Sequence, residues 1–264
     1  MENHLVLIYQ GEQLIMIKPL YYYSVAVFYF CPMRILFVLS LALLFVSCDN
    51  LHQSSSIEVV GQMRDVMWKG DLVGKISTDS LNRPNAYGLG PIEYLKGEVL
   101  LFEGQTFISK VIDSVAHQVT QVNSIKAPFF VYSKESNLNA IPVVPSELSL
   151  KSTEELIDSL YFDYDKPLLI RIDGVFKDIT VHSVNLPEGS SVSSPDQAHK
   201  GLTQYSYKNL SGSIVGFFSR KHKAIFTHHD SFLHAHFISD DRNVMGHVDS
   251  VLFDSENTAF EVSK

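Results

Sequence analysis

From Ile57 onward the chain alternates short apolar runs with turn residues, and the runs have the period of strands rather than helices. Val99–Phe102, Thr106–Ile112, Pro128–Tyr132, Leu168–Ile172, Ile179–Val184, Gly212–Phe218, Phe232–Ile238 and Val248–Phe253 are rich in β-branched and aromatic residues, and Gly, Pro, Asn, Asp or Ser bounds them. Helical signals are few. Ser152–Leu160 reads as a helix with Ser152 as its cap and Glu155 closing a capping box, and Ser56–Lys69 is a second candidate. Leu186–Ser194, with Pro187, Gly189 and several serines, reads as a loop. Because helices do not alternate with strands, the pattern predicts an α+β, mainly β domain with mixed or antiparallel sheets, not a doubly wound parallel one.

The first 50 residues have a different texture. Met33-Arg34 precedes Ile35–Ser47, thirteen residues in which only Ser40 and Ser47 are polar, and Cys48-Asp49-Asn50 follows. A basic residue, a short apolar run and a small residue are the parts of a secretory signal, and the run is shorter than the ~20 residues a membrane span needs. Leu44-Phe45-Val46-Ser47-Cys48 resembles a bacterial lipobox, in which the cysteine becomes a lipidated N-terminus. The expected organisation is an upstream extension over 1–32, a lipoprotein signal peptide over 33–48, a tether over 49–56 and a folded domain over 57–264. The location this implies is an exported, membrane-anchored lipoprotein of a bacterial envelope.

Charge and cysteine content narrow the chemistry. With 29 acidic and 21 basic residues the formal charge is -8, and no basic cluster offers a nucleic-acid footprint. Both cysteines, Cys31 and Cys48, lie ahead of the folded region, so a metal there must be held by nitrogen and oxygen. The segment Leu233-His234-Ala235-His236-Phe237-Ile238-Ser239-Asp240-Asp241-Arg242-Asn243-Val244-Met245-Gly246-His247 offers such a set. On a strand, His234 and His236 point to one side. Ser239–Asn243 supplies turn residues, Gly246 permits an unusual backbone angle, and a C-terminal hairpin would return His247 to the pair. Three neutral imidazoles leave zinc an open position, the arrangement of catalytic sites. Eleven histidines occur in the chain, and the spacing alone is met equally well by packed or solvated side chains. Of the others, His228-His229 reads as a decoy, since adjacent strand residues face opposite sides, and His222 reads as solvated surface between Arg220, Lys221 and Lys223.

The same segment, with Gly246-His247-Val248, resembles the HLHF-[IL]-S-[ED]-D-R…GGHVLDF stretch of the α-acetolactate decarboxylases. Tyr87–Val99 looks like that family's GLGTFDxLDGE, Leu169–Phe176 like its AxRIDGxF, and Gly212–Phe217 like its GTIVGF, all in the same order. The resemblance implies a carbon–carbon lyase that decarboxylates 2-acetolactate, a 2-hydroxy-3-oxo acid, to acetoin on zinc held by His234, His236 and His247. It implies a homodimer and makes Glu98 the proton donor, while Arg171 reads as structural. Two positions depart from the pattern. Pro91 stands where the family has a threonine hydroxyl, and His182 stands where it has an arginine suited to gripping a carboxylate. The family's second glutamate lies in a C-terminal tail whose motif neither Glu256 nor Glu261 matches. Two other readings stay open: a metal-binding homologue that has lost turnover, and a cupin-type metalloenzyme, for which no second cupin motif is found.

Overall fold

The computed structural model describes residues 57–264; the extension, signal and tether expected over Met1–Ser56 lie outside the described residues. The strands are β1 (Ile57–Val60), β2 (Ile76–Ser77), β3 (Tyr87–Pro91), β4 (Glu98–Phe102), β5 (Gln105–Val111), β6 (His117–Val122), β7 (Lys126–Ala127) and β8 (Phe130–Ser133). They continue as β9 (Asn139–Ala140), β10 (Glu147–Ser149), β11 (Leu168–Ser183), β12 (Thr203–Phe218), β13 (Leu233–Ser239), β14 (Met245–Asp254) and β15 (Thr258–Ser263). One antiparallel sheet runs β1-β8-β3-β4-β5-β6 and a larger one runs β10-β14-β13-β12-β11-β15-β9, while β2 and β7 form a short pair. The α+β, mainly β expectation holds, and the strand ladders are antiparallel.

The larger sheet closes on itself. β14 pairs with β13 on one edge and with β11 on the other, so β11, β12, β13 and β14 form a ring. The two sequence segments Leu168–Ile172 and Ile179–Val184 are therefore halves of one 16-residue strand. The first half of β11 pairs with β15 and the second with β14, while β12 follows it throughout. Pairing skips Lys177 opposite Asn209, whose φ of 51° bends the ribbon there. A second irregularity sits in β14, where Thr180 pairs with Ser250 but Val181 pairs with Val248, leaving Asp249 as a bulge.

Strand alternation divides the core. On β13, Leu233, Ala235 and Phe237 join an apolar cluster inside the larger sheet, with Phe176 and Phe253. Ile238 faces the other way, into the layer between the sheets, with Leu100 and Phe102 of β4 and Val215 and Phe217 of β12. His234 and His236 share the parity of Ile238 and Glu98 shares that of Leu100, so both sheets aim polar residues into one end of the intersheet layer. At the other end, Arg171 donates to Tyr87 Oη (2.9 Å) and Glu103 Oε1 (2.7 Å), and its guanidinium lies over Phe102, an inter-sheet tie that bears out its structural reading.

The helices differ from the sequence expectation. Ser56–Lys69 splits into β1 and α1 (Met63–Lys69), because Gly61 turns the chain between them with φ 68°. Helix α2 (Leu150–Leu160) starts earlier than expected: Ser149 is its cap and Ser152 is the reciprocal partner three residues on. Glu154 of α2 accepts from the backbone N–H of Phe232 (2.9 Å) and Leu233 (3.1 Å), pinning the entry to β13. Leu186–Ser194 is a loop, and the short helix α3 (Pro195–Ala198) follows it.

Gly246 is needed for a close approach rather than an unusual dihedral. It is extended within β14, and a Cβ there would stand 2.5 Å from the carbonyl oxygen of His182 on β11. Gly246→Ala should cost about 1–3 kcal/mol in urea unfolding through forced separation of these strands; an unchanged midpoint would show that the β11–β14 contact is loose.

Candidate metal centre

The hairpin expected from sequence forms. Ser239 Oγ accepts from Val244 N–H (2.9 Å), Asp241 Oδ1 accepts from Ser239 Oγ (2.6 Å) and Asn243 N–H (3.0 Å), and Arg242 takes the left-handed turn position. This turn sets a register in which His236 lies opposite His247, and on its other edge His247 lies opposite His182. Three adjacent strands thus carry histidine in one row. His234 stands two residues before His236 on the same face, and nitrogens of His234, His236 and His247 lie within 4.8 Å of one another.

These imidazoles are buried, His236 completely. His234 Nδ1 donates to the carbonyl of Phe226 (2.6 Å), which leaves its Nε2 as a lone-pair donor. Nε2 of His236 is buried without any hydrogen-bond partner. An orphaned buried nitrogen is costly unless something occupies its lone pair, and a cation is what three convergent imidazoles can satisfy. Burial, reinforced by neighbouring histidines, pushes His234 and His247 well below the ordinary imidazole range and His236 down to about 3. Each ring is therefore neutral, the ligating form, and the donor set fits a metal ion that accepts nitrogen.

Glu98 reaches the same point from β4. It is 4% exposed, its Oε1 accepts from Val184 N–H (3.2 Å), and its Oε2 lies 3.7 Å from His236 Nε2. That separation from a neutral ring is a contact, not a hydrogen bond or ion pair. Burial raises its pKa to about 7, with the His182 charge acting in the opposite direction. His182 Nε2 is 3.9 Å from Glu98 Oε1, and Asp249 Oδ1 lies 2.7 Å from its Nδ1. The bulge at Asp249 aims that carboxylate at β11. Pro91 pairs directly with Glu98, so the position where the resemblance expects a hydroxyl lies on the cleft and presents a ring without a donor.

A narrow cleft of about 30 Å³ lies above these groups, with Met63, Met67, Leu95, Phe129 and Val184 as an apolar wall. All five sequence-predicted site residues, Glu98, His182, His234, His236 and His247, come together here. Sequence reasoning missed three neighbours. Asp249 reaches the site through a bulge, which its local sequence does not announce. His228 is not a decoy: its Nε2 is 3.2 Å from Nε2 of His247, while His229 is exposed, so only one of the adjacent pair faces the site. His199 lies at the cleft rim, which no local pattern announces. His222 is not solvated surface either; it stacks on Phe226, and its Nδ1 is 2.7 Å from Ser219 Oγ.

Fold and site define a mainly β, two-sheet domain whose intersheet cleft gathers a donor set that could hold a metal ion. The model of the family described as alpha-acetolactate decarboxylase matches residues 60–264. The alpha-acetolactate decarboxylase of Bacillus licheniformis is 27% identical over 201 residues, 75% of this chain and 74% of the relative, and that of Methanosarcina mazei is 24% identical over 215 residues, 81% and 70%. The crystal structure of the Bacillus subtilis strain 168 enzyme aligns with TM-score 0.65 at 24% identity, covering 78% of this chain and 84% of that one. A Staphylococcus aureus protein described as similar to alpha-acetolactate decarboxylase aligns with TM-score 0.63 at 18% identity, covering 78% and 84%. The chain belongs to the alpha-acetolactate decarboxylase family, whose members are carbon–carbon lyases.

The raised Glu98 pKa has a stability signature. In the metal-free fold Glu98 binds its proton more tightly than in the unfolded chain, so its contribution is full below about pH 4.5 and is lost as pH rises through about 7. The histidines titrate in the opposite sense, so the difference between wild type and Glu98→Gln isolates it. Relative to the variant, wild type should lose on the order of 3 kcal/mol between pH 4.5 and 7.5. A difference that stays flat with pH would mean Glu98 is not held protonated.

Proposed function

We propose that this chain decarboxylates 2-acetolactate to acetoin on a zinc ion held by His234, His236 and His247. The observation that carries the reading is the convergence of three neutral imidazoles beside buried Glu98, in a chain of this family. When bound, the metal would supply Lewis-acid charge close to the oxygens onto which electron density moves.

The remaining work falls to the protein. Departure of CO2 leaves an electron pair spread toward the neighbouring ketone, and one carbon must then receive a proton. Glu98 is the proton donor: burial raises its pKa to about 7 in the metal-free cleft, and a bound cation would draw it back down. The Val184 N–H fixes its Oε1 while Oε2 faces the histidines. His182, steadied through Nδ1 by Asp249, presents Nε2 as a single donor for the carboxylate when the ring is protonated. It cannot form the two-pronged grip of a guanidinium. The apolar wall of Met63, Met67, Leu95 and Phe129 keeps water from the reacting carbons and favours conversion of a charged carboxylate into neutral CO2.

Pro91 and His182 favour a second reading, a zinc-binding homologue without turnover, because two polar contacts expected of the family are altered in the cleft. The segment Met33–Cys48 supports an exported domain anchored by lipid on Cys48, and the family reading supports a homodimer.

Purified Cys48–Lys264 with zinc should form acetoin from acetolactate above the spontaneous rate, and His234→Ala should lower kcat/KM by about 10³-fold, the several kcal/mol a metal supplies. Acetoin formation no faster than the uncatalysed background, in a zinc-replete protein, would contradict the reading. Activity appearing only in Pro91→Thr with His182→Arg would establish the second one.

A further inference from the structure

We propose that His228 is a fourth, displaceable protein ligand of the metal centre, occupying in the resting state the position that substrate oxygen takes. The inference rests on reading His234, His236 and His247 as metal ligands. Its own observation is the 3.2 Å separation between Nε2 of His228 and Nε2 of His247. Two nitrogens on one tetrahedral zinc stand about 3.3 Å apart, given Zn–N bonds of ~2.0–2.1 Å. The His228 ring packs edge-on against His247 (5.0 Å between centroids) and His234 (5.8 Å). The nitrogens within 4.8 Å of one another are those of His234, His236 and His247, so His228 would join them by a small inward shift of its loop.

The segment that carries His228 is built to hold it there. Phe226 and Thr227 are fully buried, and the Phe226 carbonyl accepts the Nδ1 proton of His234. Just upstream, the first N–H groups of α1 donate to the carbonyls of Ile225 (2.7 Å, from Met63) and Ala224 (2.9 Å, from Arg64). One loop thus orients a strand-borne ligand and presents a second imidazole to the same point. The difference in mounting decides which ligand exchanges. His234, His236 and His247 sit within the paired ladders of β13 and β14, whereas His228 stands on a loop and is partly exposed. Substrate binding then exchanges one nitrogen for oxygen, with no net change in the charge carried by the protein ligands. The competing account of the same distance is an N–H···N hydrogen bond between two neutral imidazoles, with three histidines on the metal.

X-ray absorption of the zinc-loaded full chain counts imidazoles through their outer-shell scattering. Four are expected in wild type and three in His228→Ala, with zinc bound at one per chain in both and roughly 10-fold more weakly in the variant. Adding 2-hydroxyisobutyrate, a 2-hydroxy acid lacking the ketone, should reduce the wild-type count to three and leave the variant's count unchanged. Three imidazoles in wild type, with a spectrum matching His228→Ala, would overturn the proposal and assign the 3.2 Å contact to a hydrogen bond. The wild-type spectrum decides this even if the variant misfolds. Failure of wild type to bind zinc at all would overturn the three-histidine reading instead, and His228 as ligand with it.

Discussion

β14 is paired along both edges, and His247 is the residue at which its two pairings meet. Opposite it stand His236 on β13 and His182 on β11, so one register fixes three imidazoles across three strands. A one-residue slip would move His247 to the other face and bring Val248, a core residue, into the cleft. The ring formed by β11 to β14 resists such a slip, because β14 cannot shift against β13 without breaking its ladder to β11. Gly246 lets the strands approach closely enough for both ladders to exist. The site is therefore a consequence of sheet closure.

Burial then gives the site its electrical character. A low-dielectric cleft that suppresses protonation of His234, His236 and His247 also raises the pKa of Glu98, so the same cause yields neutral bases beside a weakened acid. Without a cation this arrangement leaves a buried nitrogen of His236 unsatisfied. A metal ion would relieve that cost. The departures from the family pattern, Pro91 and His182, lie directly beside Glu98 and His247 and leave the three imidazoles intact.

What the chain revealed before folding was chiefly what is local. The two-residue spacing of His234 and His236, and the turn residues between them and His247, are contained in fifteen consecutive positions. Long-range facts were not visible in this way. The continuity of β11 through Lys177-Asp178 depends on pairing with β12, and β15 exists as a strand because it lies against Leu169–Gly174, some 90 positions earlier. His182 became a neighbour of His247 only through ring closure, and resemblance alone had marked it. Asp249 required a bulge, which has no clear signature in Val248-Asp249-Ser250. His228 was set aside because strand alternation was applied to residues that fold as a loop.

Calorimetric titration of zinc into metal-free protein tests most directly whether the three histidines form one centre. One tight equivalent per chain is expected for wild type, with none for His236→Ala, whose buried nitrogen has no other partner. Absence of binding to wild type, or equal affinity in the variant, would contradict the account.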